Sequence, residues 1–374
     1  MEARTRELFI QLLLPSWMIK RKSEIKPFML IVKIFLIFFL VNALFVVSFR
    51  YTEGTSWGES IWHAWQTSTT VGYGNRPAVT TNGRIATMIF GYLGIIMTGL
   101  IIGESVNYAI DLGKKRRLGQ LSNPYRDGYV IFNYPGTSKF KALVEEIRHV
   151  ESNVGICIVD DNLAKLPEQV EPMSNIHFVK GNVLKRETYE KARLKDNKSI
   201  IVFPMKPGVS ESDGGTQTVV QQVSQFVGEE TRIIHELVDS ENEWLFKNLP
   251  SISIPESIKF MAIVQECQDP HSAETIKALL SNTTGANPKT VSPGKIAGLN
   301  WKEFYIRVLD VSSAQNIRLN PLAIIRNGVS DTNPAWDTII YDDDYLQVAA
   351  FNDFDWPYFM EELLKVGKPQ SSVV

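Results

Sequence analysis

The sequence predicts a chain of two unlike parts: an α-helical membrane unit with two spans and a re-entrant loop, then a parallel, doubly wound α/β domain ending in a small β-rich lobe. Three observations predict it. Two apolar runs, Phe28–Phe49 and Ile85–Ile110, are each long enough to cross a bilayer's hydrocarbon. Between them Trp57–Thr69 is too short to cross and leads straight into Thr70-Val71-Gly72-Tyr73-Gly74. From Gly128 onward, short apolar strands alternate with amphipathic helices, the pattern of a parallel sheet covered on both faces.

Composition bounds the function. The 374 residues suffice for two or three domains. At 44% hydrophobic and 21% charged the chain averages like a soluble protein, but its apolar residues concentrate in the first third. A net charge of −2 gives no argument for nucleic acid. Cys157 and Cys267 lack metal-ligand spacing and are expected to be reduced core residues. The first apolar stretch is short and lies beside Pro15, followed by basic residues, so no cleavable signal peptide is expected.

Residues 1–27 carry Leu8, Phe9, Leu12, Leu13 and Trp17 at helical spacing, then the basic cluster Lys20, Arg21, Lys22 and Lys26. An interfacial helix on the inner leaflet and an ordinary basic flank both fit. In the first span Lys33 can snorkel to the interface, and Asn42 is expected to bond to a neighbouring helix. Arg50–Ser60 is polar and predicts an extracytoplasmic turret. Trp57–Thr69 predicts a re-entrant helix whose carboxyl end, the negative end of its dipole, favours a cation. The second span holds Gly91, Gly94, Gly99 and Gly103, small residues that permit close helix approach. Glu104, near its inner end, fits a vestibule or a rim. Lys114-Lys115-Arg116-Arg117 follows, and basic residues at both flanks put both termini on the cytoplasmic side.

The loop between the spans carries the chemistry. Gly72 and Gly74 allow backbone conformations closed to residues with a Cβ, so successive carbonyls can face one axis and replace the water around a potassium ion. Thr70 can add its hydroxyl; Val71 and Tyr73 are expected to pack behind. This stretch resembles the selectivity filter of potassium channels, where Thr-Val-Gly-Tyr-Gly is the signature. The resemblance implies four chains around one axis, potassium in the filter, and an inner-helix hinge, here Gly94. Behind the filter, Gln66 on the short helix and Asn75 after Gly74 are expected to form an amide network. Trp62 or Trp65 is expected to supply an indole donor to it.

Strands are predicted at Tyr129–Phe132, Gly155–Val159, His177–Val179, Ser199–Phe203, Arg232–Leu237 and Ile258–Phe260. Helices are predicted at Lys139–Val150, about Arg186–Leu194, Gln217–Val227 and Met261–Leu280. With Gly128 opening the first strand, Asp160 at the end of the second, the Gly181-Asn182 turn and Ala192-Arg193, this half resembles the Rossmann-like RCK domain, the regulator of potassium conductance. The whole order resembles the calcium-gated archaeal type of potassium channel. The resemblance sets the divisions: pore domain 28–113, linker 114–127, RCK N-lobe 128–285, and RCK C-lobe with a terminal helix 286–374. Strands are expected there at Leu322–Gly328 and Asp344–Ala350, and a helix at about Trp356–Lys365.

A dinucleotide cradle needs G-x-G-x-x-G. Asn133-Tyr134-Pro135-Gly136-Thr137-Ser138 keeps Gly136 alone, and Pro135 removes a donor. Asp160 sits where such folds bind ribose, and without the glycines it reads as a solvated strand end. Calcium needs six to eight oxygens; the candidates are Glu211, Asp213, Glu236 and Asp239, although Val238 stands where the calcium-gated relatives place a second carboxylate. The loop Lys206–Gly215 is longer than its connection requires. The expectation is a homotetrameric, potassium-selective channel of the plasma membrane. Calcium or a nucleotide bound to the RCK domains would gate it, and additional soluble RCK copies could complete a ring. A membrane-anchored NAD(P)-linked oxidoreductase and a weakly selective cation channel are the competing readings.

Overall fold

A computed structural model describes residues 27–366; the amphipathic and basic residues 1–26 lie outside the described residues. The chain divides into two compact units, residues 1–116 and 117–374.

The first unit is α-helical. Helix α1 spans Pro27–Glu53, α2 Trp57–Ser68 and α3 Thr81–Arg117. Both long helices exceed the spans read from hydropathy. The helical ladder continues through polar residues once nucleated, so the turret shrinks to Gly54–Ser56 and α3 runs into the expected linker. Most apolar side chains on α1 face outward, Leu36 at 65% and Phe39 at 64% exposure, which suits lipid or neighbouring helices rather than water. Asn42 donates to Phe38 O of its own helix at 3.0 Å, not to a neighbour. Phe45, Phe49 and Ala64 form a small core where α1 meets α2, and the His63 ring stacks on Phe49 at 3.8 Å.

The second unit holds two sheets. Six parallel strands, β1 Tyr129–Phe132, β2 Ile156–Asp160, β3 Ile176–Lys180, β4 Ser199–Val202, β5 Arg232–Leu237 and β6 Ile252–Pro255, lie in the order β3-β2-β1-β4-β5-β6. The order reverses between β1 and β4, the switch point of a doubly wound fold. Because side chains alternate across a strand, Val130 and Phe132 enter the core that also holds Tyr189 and Val220, while Ile131 enters the opposite core with Phe140 and Val144. Those faces are covered by α4 Thr137–Val150 on one side, and by α5 Arg186–Ala192 and α6 Ser212–Phe226 on the other.

Two predicted elements are displaced. The sixth strand is Ile252–Pro255, not Ile258–Phe260, which instead opens helix α7, Ile258–Gln268. Pro255 ends an edge strand, a place where proline's missing donor costs no ladder bond. The predicted helix Met261–Leu280 is two helices, α7 and α8 Ser272–Leu280. Pro270 and the left-handed His271 (φ 75°) break it. Helix α6 begins at Ser212, so Gly214 and Gly215 are helical and the long loop shortens to six residues, Lys206–Glu211. Cys157 is buried, as expected, and burial pushes its thiol pKa up. Cys267 on α7 is exposed, contrary to the core reading; no residue of α7 or α8 is buried.

The C-terminal lobe is an antiparallel sheet, β7 Asn287–Val291, β8 Leu319–Arg326, β9 Val329–Thr332 and β10 Tyr345–Ala350, in the order β7-β10-β8-β9. It is packed by α9 Trp301–Gln315 and α10 Trp356–Val366 around Trp301, Phe304, Val308 and Phe359. Helix α9 was not anticipated in a segment read as β-rich.

One buried base makes this unit acid-sensitive. His235 on β5 is fully buried, stacks on Phe246 at 3.9 Å and pairs with Ser253 Oγ at 2.9 Å. Burial lowers its pKa to about 4. Folding therefore costs nothing extra above pH 6.5. Stability falls as pH drops from 6.5 towards 4, because the unfolded chain takes up the proton first. The total loss is about 3 kcal/mol. Thermal melts at stepped pH check this: His235→Gln should flatten the acid dependence of the second unit's transition over that window.

Candidate functional site

Helix α2 is set by its ends. Ser56 caps it, its hydroxyl accepting from Glu59 N at 3.2 Å. At the other end Thr69 N donates to Trp65 O at 3.0 Å, and the chain then leaves the helical path. Val71 N and Gly72 N both donate to Gln66 O, at 2.9 and 3.1 Å. These bonds fold the loop back on the last helical turn.

Positive φ recurs at alternate residues: Thr70 at 63°, Gly72 at 54° and Gly74 at 69°, while Val71 and Tyr73 are absent from the positive-φ set. Alternating hands line up successive N–H groups on one side of the backbone and carbonyls on the other. Thr70 is a β-branched residue in left-handed backbone, strain of the kind held at functional sites. A Cβ added to Gly72 or Gly74 would meet nothing within 4 Å, so conformation, not space, requires glycine there.

Tyr73 stacks parallel to Trp62 (5.9 Å, 6°), and Trp62 stacks on Trp65 (5.8 Å, 20°). The two indoles thus support the loop through their faces; among the described residues neither donates to Asn75 or Tyr73. Gln66 is 2% exposed, and its side-chain oxygen has no hydrogen-bond partner among the described residues. Asn75 is exposed, so the anticipated amide pair is not formed within one chain. Gln66, His63, Thr87 and Arg84 instead line a cavity of about 350 Å³ bounded by Gly72 and Gly74, a feature sequence reasoning missed because it takes residues from α2, α3 and the loop.

Gly94 faces α2. A Cβ there would stand 2.6 Å from Ser68 Cα, a backbone position unable to retreat freely. The glycine is therefore a close-packing residue, whatever bending it permits. Gly94→Ala is expected to lower the melting temperature of the detergent-solubilised protein, while Gly58→Ala, with open space around its Cβ, leaves it unchanged; differential scanning fluorimetry reads both.

In the second unit the acidic candidates separate. Asp160 is buried, not solvated. Its Oδ2 accepts from Tyr134 N at 2.8 Å and its Oδ1 from Asn162 N and Leu163 N at 2.7 and 2.9 Å. The carboxylate that would meet a ribose is thus tied to the loop that would cradle a pyrophosphate. Asn133, left-handed at 61°, donates from Nδ2 to Phe203 O at 2.7 Å and bridges the β1–β4 switch point. Gly136 caps α4 with no side-chain bond. Asp213 is fully buried and accepts three hydrogen bonds. Glu236 pairs with Lys139 at 3.3 Å, Asp239 caps the following turn through Glu241 N, and Glu211 is exposed. Among the described residues no group of three or more His, Cys, Asp or Glu is placed to hold a metal ion.

Residues 32–111 match the sequence profile of a family described as ion channel. Over 178 residues the chain is 25% identical to the calcium-gated potassium channel TvoK of Thermoplasma volcanium, covering 48% of this chain and 49% of that one. The chain thus spans about half the length of the curated relative it matches. Among solved structures, the GsuK channel bound to NAD aligns over 91% of this chain and 61% of its own, at 17% identity and a TM-score of 0.46. The human SLO3 gating ring aligns over 63% and 46%, at 15% identity and 0.44. At those scores nothing about function follows from the structural likenesses. The matched stretch takes in most of α1 and α3, both long and apolar enough to cross a bilayer. The order read from the motifs, a channel-like unit followed by a parallel α/β domain, agrees with this profile match and with the observed sheet.

Proposed function

We propose that this chain is one quarter of a potassium-selective channel, opened or closed by a ligand that binds the second unit. The observation that carries it is the alternation of positive φ at Thr70, Gly72 and Gly74, on a loop that follows a short helix and lies in the chain between two helices long and apolar enough to cross a bilayer. One loop gives one arc of carbonyls, and a ring around an ion needs several chains about an axis. Ions would move in file between filter sites, driven by their gradient. The basic run Lys114–Arg117 at the end of α3 favours the cytoplasm for the second unit.

The apolar, uncovered face of α7 and α8, with Phe260 at 57%, Met261 at 63% and Leu280 at 67% exposure, supports self-association of that unit. Calcium is the first ligand to test, since one similar protein is a calcium-gated potassium channel. With Asp213 committed to two backbone amides and the Asn242 side chain, a calcium site would draw Glu211, Glu236 or Asp239 together with oxygens of another chain. A nucleotide is the second. Flux from liposomes loaded with potassium, compared with sodium, tests the reading: potassium flux many times the sodium flux is expected, and equal fluxes would defeat it. Calorimetric titration with calcium, NAD and ADP identifies the ligand.

A further inference from the structure

The loop after α2 runs back along that helix. Val71 N and Gly72 N donate to Gln66 O near its last turn. The Tyr73 ring stacks on Trp62, one turn earlier. Arg76 Nε then pairs with Glu59 Oε2 at 3.3 Å, in the first turn. Each step along the loop meets an earlier residue of α2, so the end of the loop stands level with the start of the helix. Beyond it the chain is tied to α1 and α3. Glu53 accepts from Val79 N and Thr80 N, both at 3.0 Å, and from Thr80 Oγ1 at 2.8 Å. Arg84 Nε donates to Ala78 O at 3.2 Å.

These contacts sort the charges at the end of the loop. The residue after Gly74 is the neutral, exposed Asn75, so the first charge past the filter is the cation Arg76. Glu53 is committed to the amides and hydroxyl of residues 79–80, which leaves Glu59 as the carboxylate that meets Arg76. The two side chains keep 60% and 38% exposure, so the pair faces water and adds at most about 1 kcal/mol to stability. Its effect on a passing ion is larger. Four uncompensated guanidinium groups about one axis would repel each potassium ion that approaches, through a field that salt screens over about 10 Å at 0.1 M.

We propose that Glu59 is a positioning residue for conduction: it holds the Arg76 guanidinium against the first turn of α2 and balances its charge, so that the ring of arginines past Gly74 does not hinder potassium entry. The inference rests on the tetrameric potassium-channel reading and adds to it what sets the rate at which ions reach the filter. Two features separate this role from a tie that only shapes the loop. The first is sign. Neutralising Glu59 frees a cation and slows entry, whereas neutralising Arg76 frees a carboxylate and speeds it; a shaping tie would lower throughput on either change. The second is salt, since a field fades as ionic strength rises and a distorted loop does not recover.

Unitary potassium currents of the full-length protein in planar bilayers test this, with equal potassium on both sides at about 0.1 M and then about 1 M, where the screening length shrinks from about 10 Å to about 3 Å. At the lower concentration Glu59→Gln is expected to reduce conductance roughly threefold. Arg76→Gln should raise it, and the double variant should match the parent. At the higher concentration all four proteins should converge. Reversal potentials in mixed potassium and sodium, and the melting temperature, should stay those of the parent throughout. Equal conductance of Glu59→Gln and the parent at the lower concentration overturns the proposal. So does a deficit that persists at the higher one, or a deficit in Arg76→Gln, and each of these leaves the channel reading standing. Should Glu59→Gln fail to assemble, the sign of the Arg76→Gln change decides alone. A parent without selective potassium current defeats the channel reading and this role with it.

Discussion

Gly72→Ala is expected to abolish selective potassium conduction. Gly72 has φ +54° and sits between Val71 and Tyr73, which lack positive φ. Its N–H is already committed to Gln66 O at 3.1 Å. An alanine methyl would find space, because nothing lies within 4 Å of the position; what it cannot do cheaply is hold the left-handed conformation. That costs roughly 1–2 kcal/mol per residue, and a ring of four such loops would carry about 4–8 kcal/mol, comparable with the whole stability of a domain. On the proposed reading the loop would relieve the strain by turning the peptide, swinging a carbonyl off the axis and removing a ring of oxygens from the ion's path. Reversal potentials under mixed potassium and sodium should show the selectivity ratio falling towards unity, or current should vanish. The thermal transition of the second unit should not move. A ratio equal to that of the unaltered protein would mean that the carbonyls at this position do not coordinate the ion.

What could be read in advance follows how local the determinant is. The conformation of the loop Thr70–Gly74 was legible because it is set by consecutive residues, two of them glycines that take positive φ. The parallel sheet was legible because burial on both faces yields runs such as Ile156-Cys157-Ile158-Val159. The β6–α7 region was misplaced because Ile252–Pro255 and Ile258–Phe260 are both short and apolar, and periodicity cannot separate a short strand from the first turn of a helix. Helix α9 had a signal that was overlooked: Asn300 and Glu303 form a reciprocal capping box, with side chain to backbone at 2.8 Å. The glycine and proline residues before it obscured that start. The roles of Asp160 and Asp213 were not legible at all. Each is tied to an amide distant in sequence, Tyr134 for Asp160 beside its local Asn162 and Leu163 donors, and Val238 for Asp213, and a carboxylate at a strand or helix end looks the same whether it faces water or backbone donors.

Asp213→Ala is expected to unfold the second unit well below the melting temperature of the parent. Asp213 lies in the first turn of α6 with none of its surface exposed. Its Oδ1 accepts from Val238 N at 2.9 Å, and its Oδ2 from Asp239 N and from Asn242 Nδ2, both at 3.0 Å. The carboxylate thus ties the start of α6 to the end of β5, and alanine would leave three donors facing a void. Charge-assisted bonds of this kind contribute about 1.5–3 kcal/mol each, but they are not additive; breaking such a buried charged contact costs about 3–5 kcal/mol. For a unit of this size that lowers the melting temperature by roughly 10 °C. Asp213→Asn should fall between, since an amide keeps one acceptor oxygen and turns its NH2 towards a donor. Glu211→Ala, at an exposed position, should change little. Calcium separates support from ligation: a calcium-induced rise in melting temperature that is equal in the parent and in Asp213→Asn places this carboxylate outside the ion site, as its three donors require, whereas a rise lost in Asp213→Asn would mean that the ion displaces the Val238 and Asp239 amides when it binds.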